Sequence, residues 1–172
     1  MAGAVATGSP LLSASGGRFG NLAESFARLE KDSNGRLGVA VLDTGSGDSV
    51  NEALPGDPRD TTSPAAMAGN MRGLLVGNKL STASREQLIA WLIANKTGDE
   101  RIRAGLKSGW RVGDKTGSNG DNTANDVAII WPGHQAPVLV AAYLTVCAGP
   151  ESKRNAVLAQ VGREVSGCIG SV

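Results

Sequence analysis

The run Val138-Leu139-Val140-Ala141-Ala142-Tyr143-Leu144-Thr145-Val146 places apolar side chains on both faces of an extended chain. Successive strand residues point to opposite sides of a sheet, so a strand that is apolar on both must be central and covered above and below. It needs a pairing strand on each flank. Val127–Trp131 supplies one, joined to it by Pro132-Gly133-His134-Gln135, whose composition is that of a hairpin turn. A further strand, 109–118, precedes these two. Arg36–Leu42, with Leu37, Val39 and Val41 alternating, reads as a fourth strand that ends in the glycine-rich turn Gly45-Ser46-Gly47.

Helical patterns supply the cover. Leu22, Phe26 and Leu29 recur at helical spacing behind Asn21 as N-cap, and Asn34-Gly35 stops the helix. Ser63-Pro64 is a cap followed by proline at the first helical position, opening a helix to about residue 76 that Gly77 closes. Another helix is predicted over 82–96, with Leu88, Leu92 and, on its flank, Trp91 facing inward. Asp99 caps a short turn through Arg103. A closing helix over 151–165 carries Val157, Leu158, Val161 and Val165. The expected fold is α/β: one antiparallel sheet flanked by helices on both faces. The 137–146 strand should lie beside the 36–43 strand, and the 109–118 strand at an edge. The N- and C-terminal helices should cover one face and the two middle helices the other.

Composition narrows the functions. The 172 residues suffice for one domain, and 17 basic against 16 acidic side chains leave a net charge of +1, which argues against charge-driven binding to nucleic acid or to a membrane surface. One histidine, His134, and two cysteines without a Cys-x-x-Cys pair predict no metal site and no cofactor. No apolar stretch is long enough to span a bilayer. Residues 1–17 are small and weakly apolar, and read as a disordered tail or as the remnant of an export signal lacking its basic front end.

The stretch Trp110-Arg111-Val112-Gly113-Asp114-Lys115-Thr116-Gly117-Ser118 carries the chemistry. In a strand, Asp114, Thr116 and Ser118 share one face and Lys115 takes the other. An ammonium between two hydroxyls suits a bound carboxylate, with Lys115 supplying charge and Thr116 and Ser118 directional donors, while Gly117 lets a ligand approach the backbone. His134 reads as a solvated turn residue. Ser33, Ser46 and Ser49 read as turn residues with no base nearby in sequence. Trp110 reads as core, and Arg101, Arg103 and Lys107 as a solvated face.

Four stretches, in family order, resemble the class A serine β-lactamases: Arg36–Asp43 the first strand, Asn51-Glu52-Ala53-Leu54-Pro55-Gly56-Asp57-Pro58-Arg59-Asp60-Thr61-Thr62 the second half of the omega loop, Lys115-Thr116-Gly117-Ser118 the substrate-binding strand, and Asn125–Pro132 the strand after it. The resemblance implies a two-lobed hydrolase of β-lactam amides, working through an acyl-serine in the periplasm or outside the cell. It assigns Lys115, Thr116, Gly117 and Ser118 to substrate binding, half an oxyanion hole to the Ser118 N–H, and Asn51 to holding the hydrolytic water. The residues 51–62, with two prolines, a glycine and many short polar side chains, read as a loop that ends at Ser63, and without the helical lobe the 48–62 segment is expected to be the least ordered internal one.

The sequence departs from that pattern in its chemistry. The residue three before each lysine is Arg28, Val76, Ile93, Ala104, Val112 or Pro150, so Ser-x-x-Lys is absent. Ser-Asp-Asn is absent too, and Gly47 stands where the family has its omega-loop glutamate. The chain reads as a tail over 1–17 and an α/β domain over 18–172, with the helical lobe and second strand missing between about 47 and 50. No catalytic residue is assigned. The expectation is little or no turnover, weak carboxylate binding, and possible self-association through the uncovered lobe interface. Cys147 and Cys168 are expected to be free thiols, because the closing helix separates them by more than a disulfide can span.

Overall fold

The computed structural model describes residues 13–14, 18–52 and 62–170. Six strands make one antiparallel sheet: β1 (Ser13–Ala14), β2 (Arg36–Asp43), β3 (Ser49–Glu52), β4 (Arg111–Ser118), β5 (Ala124–Trp131) and β6 (Val138–Thr145), in the order β1-β3-β2-β6-β5-β4. As the apolar pattern requires, β6 is central. It pairs with β2 over Arg36↔Thr145 to Asp43↔Val138 and with β5 over Ala124↔Leu144 to Ile130↔Val138. Among the described residues β4 forms an edge and pairs with β5 alone, setting Lys115 opposite Val127 and Thr116 opposite Asp126.

Two apolar layers hold the sheet. Over one face lie α1 (Leu22–Ser33) and α4 (Glu151–Ile169), where Phe19, Leu22, Phe26, Leu158, Val161 and Val165 pack on Leu37, Val39, Val140 and Leu144. Over the other lie α2 (Pro64–Met71), which continues as a π-helical turn through Val76, and α3 (Thr82–Ala94), with Met71 and Leu75 on Ile129 and Leu139. Side chains such as Phe26, Leu158 and Ile130 are fully buried, and each stabilises the fold by about 1.5–3 kcal/mol. The caps follow the sequence. Asn34 ends α1 in the left-handed conformation, and the Ser63 hydroxyl accepts from the Ala66 N–H at 3.1 Å.

Three expectations are corrected. The second strand is not missing: the residues after Gly47 turn back as β3 on β2, with Ala40↔Asn51 and Val41↔Val50 in register. The turn explains this. The Asp43 carboxylate accepts from the N–H groups of Gly45 and Ser46, Gly47 sits at φ +80, and the Asp43 N–H donates to the Asp48 carbonyl. Val50 thereby enters the core at 1% exposure. Asn51 and Glu52 are strand residues, not the start of a loop; the loop expected over 53–61 lies outside the described residues. Second, Ser13 and Ala14, assigned to the tail, pair with Asn51 and Val50. Third, Trp91 does not face inward: it is 66% exposed, and α3 buries no residue completely.

Cys147 is buried, Cys168 is half-buried, and both are free. They sit before and near the end of α4, whose 19 residues rise about 28 Å.

Candidate functional site

The turn between α3 and β4 supplies the side chains that hold the Lys115–Ser118 strand from beneath. Asn95 closes α3, Thr97 and Gly98 follow, and a 3-10 turn over Ile102–Gly105 leads back towards β4. Gly98 lies so close to Asp114 that a Cβ there would stand 1.8 Å from its Oδ2. At Gly113 a Cβ would stand 3.0 Å from the Leu92 Cβ, so both glycines are needed for α3 and its turn to close on the strand.

Asp114 is fully buried and doubly held. Arg103 donates to its Oδ1 through Nε at 3.0 Å and also through Nη2, and the Asn95 amide donates to its Oδ2 at 2.7 Å. Arg101 is 4% exposed and joins five groups. Its Nε donates to Asn155 Oδ1, its Nη1 to the carbonyls of Gly117 and Asn125, and its Nη2 to Ser118 Oγ at 2.7 Å and to Glu151. Asp126 is also fully buried. The Ile102 N–H donates to its Oδ2 at 3.1 Å, and its Oδ1 has no partner. Burial, and then the neighbouring Asp114 charge, push the Asp126 carboxyl up to about 8, against the pull of Arg101 and Arg103.

Arg101 and Arg103 are therefore not a solvated face. They carry the charge balance beneath the site, as buried carboxylates require. The sequence held a signal for this. Asp114 and Asp126 each interrupt a run that must be covered, and two acids inside a sheet call for cationic partners. Lys107 is exposed, as expected, and donates to the Gly170 carbonyl.

Above this layer, Lys115 is exposed and its Nζ donates to the Thr116 carbonyl at 2.7 Å. The Thr116 hydroxyl lies 2.5 Å from that of Thr97. An open groove of about 380 Å³ runs along β4 and β5, lined by Lys115, Thr116, Gly117 and Asn125, with Met67, Val127 and Tyr143 as its apolar wall. Lys115, Thr116, Gly117 and Ser118 are thus together at one strand end. Asn51 is not with them: three strands, β2, β6 and β5, separate β3 from β4. His134 is exposed, and Trp110 packs against the core. Among the described residues no group of three or more His, Cys, Asp or Glu side chains is placed to hold a metal ion.

The arrangement can bind an anion through one ammonium and the strand's hydroxyls. The side chain in contact with Ser118 is a guanidinium, which cannot take a proton.

The sequence model of the β-lactamase enzyme family matches residues 44–168. The chain belongs to the class A β-lactamase family. It is 51% identical to β-lactamase L2 of Stenotrophomonas maltophilia over 122 residues, which are 70% of this chain and 40% of that one. To β-lactamase CTX-M-25 of Escherichia coli it is 48% identical over 118 residues, 69% of this chain and 40% of the other. The chain thus spans about 40% of the length of these relatives. Among solved structures, a β-lactamase from Xanthomonas campestris superposes with TM-score 0.84 at 28% identity, covering 89% of this chain and 99% of that chain. An ancestral class A β-lactamase of Gram-negative bacteria superposes with TM-score 0.80 at 33% identity, covering 85% and 99%. The α/β lobe of the family is therefore the fold of this chain.

Proposed function

We propose that this chain binds the carboxylate of a β-lactam weakly at Lys115, Thr116, Gly117 and Ser118, and turns it over little or not at all. The observation that carries this reading is the state of the strand end: an exposed lysine on an open groove, and beside it a serine whose contacting side chain is a permanent cation instead of a base. Acyl transfer needs a nucleophile with an adjacent base. Ser33 Oγ donates to the Glu30 carbonyl and Ser46 Oγ accepts from the Asp48 N–H, so these two act as turn residues. The bound acid would lie against Met67, Val127 and Tyr143.

The same reading puts the protein in the periplasm or outside the cell. Exposed Trp91 and Val76, at 66% and 40%, favour self-association on the α2–α3 side. The test is intact-mass spectrometry after incubation with benzylpenicillin, paired with an NMR titration. Weak, saturable shifts at Lys115–Ser118 and no covalent adduct are expected. A reproducible adduct on a serine would overturn the non-catalytic part, and the absence of any shift would overturn the binding part.

A further inference from the structure

We propose that Asn119, in the loop between β4 and β5, is a site of self-modification: the Gly120 nitrogen attacks its side-chain amide, ammonia leaves, and the residue becomes aspartate or isoaspartate. The chain has two Asn-Gly pairs, and the fold treats them oppositely, activating Asn119-Gly120 and protecting Asn34-Gly35.

The step needs only water and hydroxide. Hydroxide takes the Gly120 N–H proton, and the nitrogen adds to Asn119 Cγ. The new C–N bond closes a five-membered imide as the Cγ–Nδ2 bond breaks. Nδ2 takes a proton from water, which restores the hydroxide, and leaves as ammonia. A second water then opens the imide, at Cγ to give aspartate or at the backbone carbonyl to give isoaspartate. Glycine suits the attack because no side chain hinders its nitrogen or its rotation.

The loop is built for this addition. Asn119 Oδ1 accepts from three backbone N–H groups, those of Asp121 at 3.0 Å, Asn122 at 3.1 Å and Thr123 at 3.0 Å. Negative charge develops on that oxygen when the nitrogen adds, and a nest of N–H groups aimed at it lowers the barrier as an oxyanion hole does. The donors are held from outside: Arg154 donates to the Asp121 carbonyl at 2.8 Å, and the Cys147 N–H to the Asn122 carbonyl at 3.1 Å. The nucleophile is not held. Gly120 is exposed at φ +81, nothing lies within 4 Å of where a Cβ would stand, and its N–H donates to no described residue.

At the other pair the nucleophile is engaged. The Gly35 N–H donates to Ser33 Oγ at 3.1 Å, and that hydroxyl donates in turn to the Glu30 carbonyl. Asn34 is fixed as the left-handed end of α1, and a Cβ on Gly35 would stand 2.8 Å from that of Cys147. The Gly35 nitrogen can swing onto the Asn34 side chain only if this helix end opens.

The experiment incubates the full chain in mildly alkaline buffer, native and in urea, and follows both sites by peptide mass spectrometry. In the native chain Asn119 should convert at least about tenfold faster than Asn34. It should also convert no more slowly than in urea, where both pairs are equally free. Ser33→Ala releases the Gly35 N–H and should raise the Asn34 rate about fivefold, the worth of one hydrogen bond, leaving Asn119 unchanged. Isoelectric focusing should show one early acidic species, its formal net charge taken from +1 to neutral, and Asn119→Gln should lack it. A native Asn119 slower than in urea would overturn the proposal, because the turn would then be protecting the amide it holds. Equal native rates at the two sites, or an Asn34 rate indifferent to Ser33→Ala, would overturn the contrast between them.

Discussion

Asp126→Asn offers a direct test of the charge layer under β4. The wild-type carboxyl is raised from an ordinary 3.8 to about 8, first by burial and then by Asp114, with Arg101 and Arg103 opposing. Between those two values the unfolded chain has lost a proton that the folded chain keeps. Stability is therefore greatest below the unfolded value and falls as the pH rises towards the folded one, by about 1.4 kcal/mol per pH unit. From about pH 5 to about pH 7.5 the wild type should lose about 3 kcal/mol on this account, a large share of the roughly 5–15 kcal/mol typical of a domain. Asparagine mimics the protonated acid. Its carbonyl oxygen can accept the Ile102 N–H as Oδ2 does, and its amide takes the place of the unpartnered Oδ1. The variant should gain on the wild type by about 3 kcal/mol between about pH 5 and about pH 7.5. Urea unfolding followed by tryptophan fluorescence over that range measures the difference curve, in which the other titrating groups cancel. A difference that stays flat, or that favours the wild type as pH rises, would show that Asp126 is ionised in the folded protein and that the two arginines outweigh burial.

Two other substitutions probe the same framework. Gly105→Ala should be severely destabilising, by about 3 kcal/mol or more, because a Cβ there would stand 1.9 Å from the Ala159 carbonyl of α4, with backbone on both sides and no room to yield; thermal unfolding measures it. Arg101→Ala should cost about 3–5 kcal/mol by leaving the Gly117 and Asn125 carbonyls and Asn155 without their donor, and it should also weaken penicillin binding through Ser118; an exposed-residue effect of about 0.5 kcal/mol would contradict its place in the structure.

The sheet was legible because its signals are local and redundant. β6 is apolar on both faces, short turns join β4 to β5 and β5 to β6, and Asn34 and Ser63 mark helix ends by chemistry that few other residues supply. β3 was hidden by its brevity. Ser49–Glu52 has a single strong β-former, Val50, and its pairing depends on the Asp43–Asp48 turn, whose aspartate bonds to its own backbone. The alternation of Lys115–Ser118 could be read from the sequence, but the groups packed beneath it could not. Arg101 and Arg103 look like surface residues until the tertiary fold buries Asp114 and Asp126 beside them. Trp91 is the reverse case, an aromatic residue that its helix leaves 66% exposed.

The pairing of β2 with β6 has a consequence for synthesis. Arg36 and Thr145 are register partners, as are Asp43 and Val138, so the strand that covers this edge of β2 is made about a hundred residues after it, roughly 5–20 s at ribosomal speed. During that interval β2, with its Leu37, Val39, Ala40 and Val41, has only the short β3 available as a neighbour and leaves one row of backbone groups open to any other nascent chain. Yield in the cell should therefore respond to chaperones that hold extended segments, and to the rate at which the ribosome reaches Val138–Thr145, more strongly than the stability of the finished fold would suggest.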